Sequence, residues 1–101
     1  MPFTPVERPF KWQHLTETTQ VSSIPGMLHT ITINCPDTTA GATITVYDGI
    51  GVTADIIAII TMDAALFVIP STLIYDVEID TGLYIVFSHE VTADITVSYN
   101  G

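Results

Sequence analysis

The chain has 101 residues, a formal net charge of -9 and one cysteine, and only 13% of its residues are charged, while 48% are hydrophobic. One domain is expected at this length, and its acidic charge argues against nucleic acid or a membrane as partner. The single Cys35 excludes an internal disulfide.

The large apolar fraction indicates association. A chain of this size has a small interior and buries only about 60–65% of its extendable surface on folding. Its charged fraction lies far below the usual share of about 25%. Part of the apolar content is therefore expected to face a partner subunit rather than a core. No charged region followed by an apolar run marks a secretory signal at the N-terminus.

Residues 1–25 are predicted to form an extended N-terminal arm. Four prolines interrupt this segment, which disfavours a regular helix. It also holds the only two cations of the chain, which Glu7 and Glu17 balance, so the net charge belongs to residues 26–101. Aromatic and cationic side chains in an extended segment are typical of a docking arm. The residues expected to bind a partner are Phe3, Arg8, Phe10, Lys11 and Trp12.

Residues 26–101 are predicted to form an all-β domain, an antiparallel β-sandwich or a jelly-roll-like barrel of about seven to eight short strands. From Gly26 onwards, β-branched and aromatic residues alternate with polar ones, as in half-buried strands. The inward positions of these strands are Ile31, Ile33, Ile44, Val46, Tyr75, Val77, Ile79, Leu83, Ile85, Phe87, Ile95, Val97 and Tyr99. Turn signals separate the runs, for example Asp48-Gly49-Ile50-Gly51.

Two segments, 54–61 and 65–69, are apolar on both faces. Such segments are expected either in the centre of a sheet or under a partner.

Catalysis has no support in the sequence. The histidines are His14, His29 and His89, and no nucleophile motif or Ser-His-Asp order surrounds them. His29 is expected to share the inward face of its strand with Ile31 and Ile33, so it is expected to be partly buried and hydrogen-bonded. We therefore predict that the protein is not an enzyme, with no catalytic residue, cofactor or metal.

Two binding alternatives stay open. Carboxylates near turns could bind calcium, although turn formation also explains aspartates there; they are Asp37, Asp48, Asp55, Asp63, Asp80 and Asp94. Aromatic faces could stack on a sugar, although alternating tyrosines commonly pack a sheet; the candidates are Trp12, Tyr47, Tyr75, Tyr84 and Tyr99.

Four runs of strand and turn residues carry a family resemblance: Gly26–Asn34, Thr45–Gly49, Tyr75–Val86 and Ala93–Tyr99. Together they resemble the small β-sandwich virion proteins of tailed bacteriophages, which decorate or cement the head or occupy the head–tail and tail structures. The resemblance covers residues 26–101 and leaves the arm outside. It rests on strand texture and turns rather than on a catalytic signature.

The resemblance implies a non-enzymatic capsid decoration (cement) protein that stabilises the head through its β-sandwich and its arm. Its implied partners are the major capsid protein or other virion subunits and further copies of itself, with a trimer favoured. The implied location is the virion, after assembly in the host cytoplasm. The alternatives are a neck, tail or fibre protein and a carbohydrate- or calcium-binding surface module.

Overall fold

The computed structural model describes residues 10–35, 42–51, 55–61, 70–88 and 93–101. Its strands are β1 (Lys11–Leu15), β2 (Thr19–Ser22), β3 (Gly26–Cys35), β4 (Thr43–Asp48), β5 (Asp55–Thr61), β6 (Ser71–Ile79), β7 (Leu83–Phe87) and β8 (Asp94–Asn100). The described ranges contain no helix with the length and apolar character needed to cross a membrane. The all-β prediction and the predicted number of strands are confirmed.

The strands form two four-stranded antiparallel sheets. Sheet A has the order β1-β8-β3-β6 and sheet B the order β2-β7-β4-β5. The pairs β1–β8, β2–β7, β3–β6 and β4–β5 are nested, as in one long hairpin that has been rolled up, and β3–β8 and β4–β7 complete the sheets. This nested pairing of eight strands in two sheets is the jelly-roll arrangement of a β-sandwich.

The core is built by the inward half of the period-two pattern. Alternate residues of β3, β4, β7 and β8 are buried while the residues between them are not, as the pleat requires. The side chains with almost no exposure are Leu28, Ile31, Ile33, Ile44, Val46, Leu83, Ile85, Ile95 and Val97. They come from the two inner strands of both sheets, so the sheets pack together through them.

Two strands of the sheets, β1 and β2, precede residue 25, where the boundary between arm and domain was predicted. Strand β1 lies at one edge of sheet A and β2 at one edge of sheet B. Leu15 and Val21 are buried in the core. The sequence did not predict these two strands, because each contributes only one buried side chain among exposed or half-buried neighbours. Residues 11–22 are therefore part of the sandwich, and residues 1–9 lie outside the described part of the chain.

The apolar segment 54–61 is not central. Its described part forms β5, which has β4 as a neighbour and ends the order of sheet B. Of the two expectations for this segment, a central position is wrong and cover by a partner stays open. The segment 65–69 lies outside the described residues.

Candidate interaction surfaces

Three of the five predicted arm residues lie at the start of β1, and each has a different environment. Trp12 is 70% exposed. Lys11 donates a hydrogen bond from Nζ to the Gly101 carbonyl oxygen at 2.8 Å. Phe10 is half-buried and stacks on the ring of His29, with 4.1 Å between ring centroids and 9° between ring planes. Phe3 and Arg8 lie outside the described residues.

Trp12 lies on the outer face of sheet A. Two rows of facing residues cross this sheet: Trp12, Ser98, Thr30 and Ile74, then His14, Thr96, Thr32 and Thr72. These eight residues alternate with core residues and define what we call the Trp12 face. Hydroxyl groups fill its centre, and the two ends of the first row, Trp12 and Ile74, are each 70% exposed.

One end of the Trp12 face is held by a cluster of Phe10, His29 and Asp76. The β3–β6 register shifts between Leu28 and Thr30, and Asp76 has a φ of 49°, in the left-handed region. Because of this irregularity, His29 does not share the inward face of Ile31 and Ile33. Its Nδ1 contacts Asp76 Oδ1, and Phe10 covers its ring. The prediction of a hydrogen-bonded imidazole is confirmed; the expectation that it shares the inward face was wrong because of the bulge.

A second polar cluster joins β1, β8 and β3. His14 Nε2 lies 2.7 Å from Asp94 Oδ1. Asn34 Nδ2 donates to the same oxygen at 2.9 Å and to Thr96 Oγ1 at 3.0 Å. These contacts fix the outer strand β1 on the sheet, so the backbone that carries Trp12 is anchored. An exposed indole on an anchored strand is suited to binding because little backbone freedom is lost on contact.

The edge of sheet B at β5, which has a neighbouring strand on one side only among the described residues, forms a second candidate surface. Ile56 and Ile59 of β5 are 55% and 59% exposed. They face Tyr47 and Thr45 of β4, respectively, and the Tyr47 and Tyr84 rings lie 6.0 Å apart. We call β5 and this adjoining outer surface the β5 edge. Large exposed isoleucines on an edge strand are unusual, because a soluble protein normally protects such an edge with charge or proline.

Two of the carboxylates considered for calcium, Asp48 and Asp94, accept hydrogen bonds from protein donors. Asp94 accepts from Asn34 and pairs with His14. Asp48 accepts from the backbone N–H groups of Asp80 and Thr81, each at 2.9 Å. Within the described ranges, no group of three or more His, Cys, Asp or Glu is placed to hold a metal, and no cavity is found. Asp37 and Asp63 lie outside those ranges.

Sequence reasoning missed two features of these surfaces. It assigned Trp12 to an arm, because Trp12-Gln13-His14-Leu15 does not alternate apolar and polar residues as a strand signal would. It also gave no role to Gln20, whose Nε2 donates to the carbonyl oxygens of Ser22 and Gly49 at 2.8 and 3.0 Å, and whose Oε1 accepts from the Gly51 N–H at 3.2 Å. Gln20 thus ties β2 to the turn that leads towards β5.

The chain was compared with protein-family models, with curated proteins and with solved structures, and none of the three comparisons gives a match.

Proposed function

We propose that this protein is a non-enzymatic structural component of a tailed-bacteriophage virion and, within the virion, a capsid decoration (cement) protein. In this proposal the Trp12 face binds the major capsid protein or another virion subunit. The Trp12 indole, at one end of this face, is the main anchor, and the hydroxyl groups at the centre of the face supply polar contacts.

The observation that carries the proposal is the exposure of Trp12 on a strand that is itself fixed to the sheet. Tryptophan is enriched among the residues that dominate protein–protein binding. An indole that is 70% exposed and held on a hydrogen-bonded strand has a geometry suited to that role. The Thr and Ser side chains around it are neutral, so they do not repel an acidic or a basic partner.

The fold supports this proposal without deciding it. Jelly rolls are used by viral capsid proteins, lectins and cupins, among others, and a fold alone does not determine a function. Cupin-type chemistry requires a ligand set inside the barrel, whereas the described core of this protein is made of aliphatic and aromatic side chains. The acidic net charge also suits an outer surface of the head better than contact with packaged DNA.

Glycan binding is the second candidate, and the same indole favours it. An exposed tryptophan beside rows of hydroxyl groups can stack on a sugar ring while the hydroxyls exchange hydrogen bonds with it. The two candidates differ in their partner: a head shell in one case and a saccharide in the other. A neck, tail or fibre position keeps the structural role but changes the location, which is read from the symmetry of binding.

The test uses particles of the encoding phage that lack this protein. Purified wild-type protein, Trp12→Ala and Ile50→Ala are each mixed with these particles and sedimented. Ile50 is the matched control because it is also a large exposed apolar residue, but lies in the turn after β4. We expect wild type and Ile50→Ala to bind equally and Trp12→Ala to bind at least about tenfold more weakly, as for a hot-spot residue.

Failure of the wild-type protein to bind these particles would overturn the decoration role. Equal binding by Trp12→Ala would retain the partner but remove the Trp12 face as the contact. Saturable, Trp12-dependent binding to a glycan array without binding to particles would replace the proposal with the carbohydrate reading.

A further inference from the structure

We propose that strand β5 pairs antiparallel with β5 of a second copy of this chain, joining the two B sheets into one continuous eight-stranded sheet. The inference rests on the β5 edge alone and does not depend on the virion role.

The first step is the chemistry of the edge. Between Asp55 and Thr61 the strand consists of four isoleucines and one alanine, without a charge, a proline or a glycine. Apart from Asp55 at one end and the β-bulge at position 57, the strand therefore lacks the features with which natural edge strands prevent pairing. An exposed row of backbone N–H and C=O groups with apolar side chains beside it is the surface that β-augmentation uses.

The second step is the choice of partner, for which charge and apolar character argue together. Two copies of a chain with a net charge of -9 associate most readily through surface that is poor in carboxylates. The edge of sheet A formed by β6 does not qualify, because Asp76 and Glu78 are exposed on it. The edges formed by β1 and β2 lack carboxylates, but their residues are mostly polar. The β5 edge carries Asp55 at one end only and is otherwise apolar, so it matches a copy of itself.

The third step is the register, which the faces of β5 determine. Ile56 and Ile59 point outward, since they lie opposite Tyr47 and Thr45. Ala58 and Ile60 lie opposite the buried Val46 and Ile44 and point inward. The β-bulge at position 57 causes this change of alternation, because residue 57 has no opposite residue in β4.

A two-fold axis between Ile57 and Ala58 pairs outward residues with outward residues and inward residues with inward residues. It places Ile56 opposite the partner's Ile59, so that both exposed isoleucines of each copy become covered. Asp55 then lies opposite the partner's Ile60. The two Asp55 carboxylates are five residues apart along the strands, about 17 Å at the usual rise, which exceeds the Debye length of about 8–10 Å at moderate salt.

This pairing closes on itself. Each copy uses its one β5, and the far edge of the joined sheet is β2 on both sides, so the assembly stops at two copies. The outer faces also join, because Tyr84, Tyr47 and Ile56 form one row that continues onto the partner's Ile59. The result differs in mass from the trimer that the family resemblance implies.

Sedimentation of the full-length protein tests the proposal. We expect wild type to sediment as a dimer, Ile59→Lys to sediment as a monomer with half the mass, and Ile74→Lys to remain a dimer. Ile74 is the matched control, since it is also an exposed isoleucine and lies on β6, an edge strand of sheet A. A monomeric wild type, or any oligomer whose mass Ile59→Lys leaves unchanged, would overturn the pairing and indicate that another segment or partner covers the edge.

Cross-linking tests the register separately, with the mild oxidation of variants that carry new cysteines. The double variant Ile56→Cys, Ile59→Cys should form a covalent dimer, because facing residues of an antiparallel pair lie within the Cα separation that a disulfide spans. Each single variant serves as a control that also corrects for Cys35. In the proposed register the new cysteine of a single variant lies about 10 Å from the same cysteine of the second copy. This distance is too long for a disulfide. Efficient cross-linking of Ile56→Cys alone would contradict this register.

Discussion

The carboxylate of Asp48 accepts a hydrogen bond from the backbone N–H of Thr81 at 2.9 Å, which ties the end of β4 to the turn between β6 and β7. The N–H of Asp80 donates to the other carboxylate oxygen at the same distance. Partial burial raises the pKa of Asp48, but hydrogen bonds from the backbone N–H groups of Asp80, Thr81 and Gly82 together outweigh it, so the pKa lies below the usual value of aspartate.

The hydrogen bonds of the Asp48 carboxylate should make a pH-dependent contribution to stability. Because the pKa of Asp48 is lowered by folding, its contribution is present above the unfolded-state pKa of about 4 and is lost as the pH falls through the folded-state pKa. We expect Asp48→Asn to be less stable by about 1–2 kcal/mol at neutral pH, with the difference shrinking in acid. Urea unfolding from pH 7 to pH 2 measures it, with Asp80→Asn as control. A difference that is independent of pH would contradict this role.

Leu15→Ala separates a folded β1 from a detachable arm. Leu15 is only 3% exposed and belongs to the core, so its truncation should lower the free energy of unfolding by about 2–4 kcal/mol. Trp12→Ala, three residues earlier on the outer face, should change it by less than about 0.5 kcal/mol. Thermal or urea unfolding compares the two. Equal, negligible effects would restore the interpretation of residues 11–25 as an arm.

Truncation tests the same boundary. Removal of residues 1–25 deletes β1 and β2, which are an edge strand of each sheet, and should prevent cooperative folding. Removal of residues 1–9 leaves every described strand intact and should keep a cooperative transition. Circular dichroism during heating distinguishes the outcomes, and a fully cooperative transition in the longer truncation would be inconsistent with this structure.

Gly26→Ala should destabilise the protein because of close backbone approach. A Cβ atom at this position would overlap the carbonyl oxygen of Asn100 in β8, and a backbone atom cannot rotate away as a side chain can. We expect a loss of about 1–3 kcal/mol, the usual range for overpacking. Unfolding in urea measures the loss, and an unchanged midpoint would show that β3 and β8 separate more easily here than their pairing suggests.

The partly buried phenol of Tyr75 should make the stability of the fold sensitive to alkali. Burial raises the pKa of its phenol, so the folded protein keeps the proton to a higher pH than the unfolded chain. The stability that this supplies is complete below the unfolded-state pKa of about 10 and is lost as the pH rises through the folded-state pKa. Tyr75→Phe should therefore lose less stability than wild type and Tyr84→Phe above pH 10. Parallel alkaline unfolding curves for all three proteins would exclude Tyr75 as the cause.

The strands that the sequence predicted well are the inner ones. In β4, in β8 and in β3 from Thr30 onwards, β-branched residues alternate with polar ones, and Ile31, Val46 and Ile95 are buried as expected. The edges were harder to predict. Strand β1 has one buried residue, Leu15, too few for a clear period, and nearby prolines suggested an extended arm.

The position of β5 and the surfaces depend on pairing that no local pattern contains. An apolar run such as Asp55–Thr61 has the composition of a central strand, and only the order of sheet B shows that it lies at an edge. Likewise, the row from Trp12 to Ile74 joins four strands that are distant in sequence. Nested pairing of strands far apart in the chain produces these juxtapositions.

The proposed role as a structural part of a virion is tested by imaging purified particles of the encoding phage at subnanometre resolution and measuring the copy number of this protein by quantitative mass spectrometry. A decoration protein should give density of this size on the outer surface of the head, repeated with the symmetry of the major capsid protein, and a copy number that scales with that protein. Density confined to a ring or fibre would move the protein to the neck or tail. Absence of the chain from purified particles would rule out the proposed virion role.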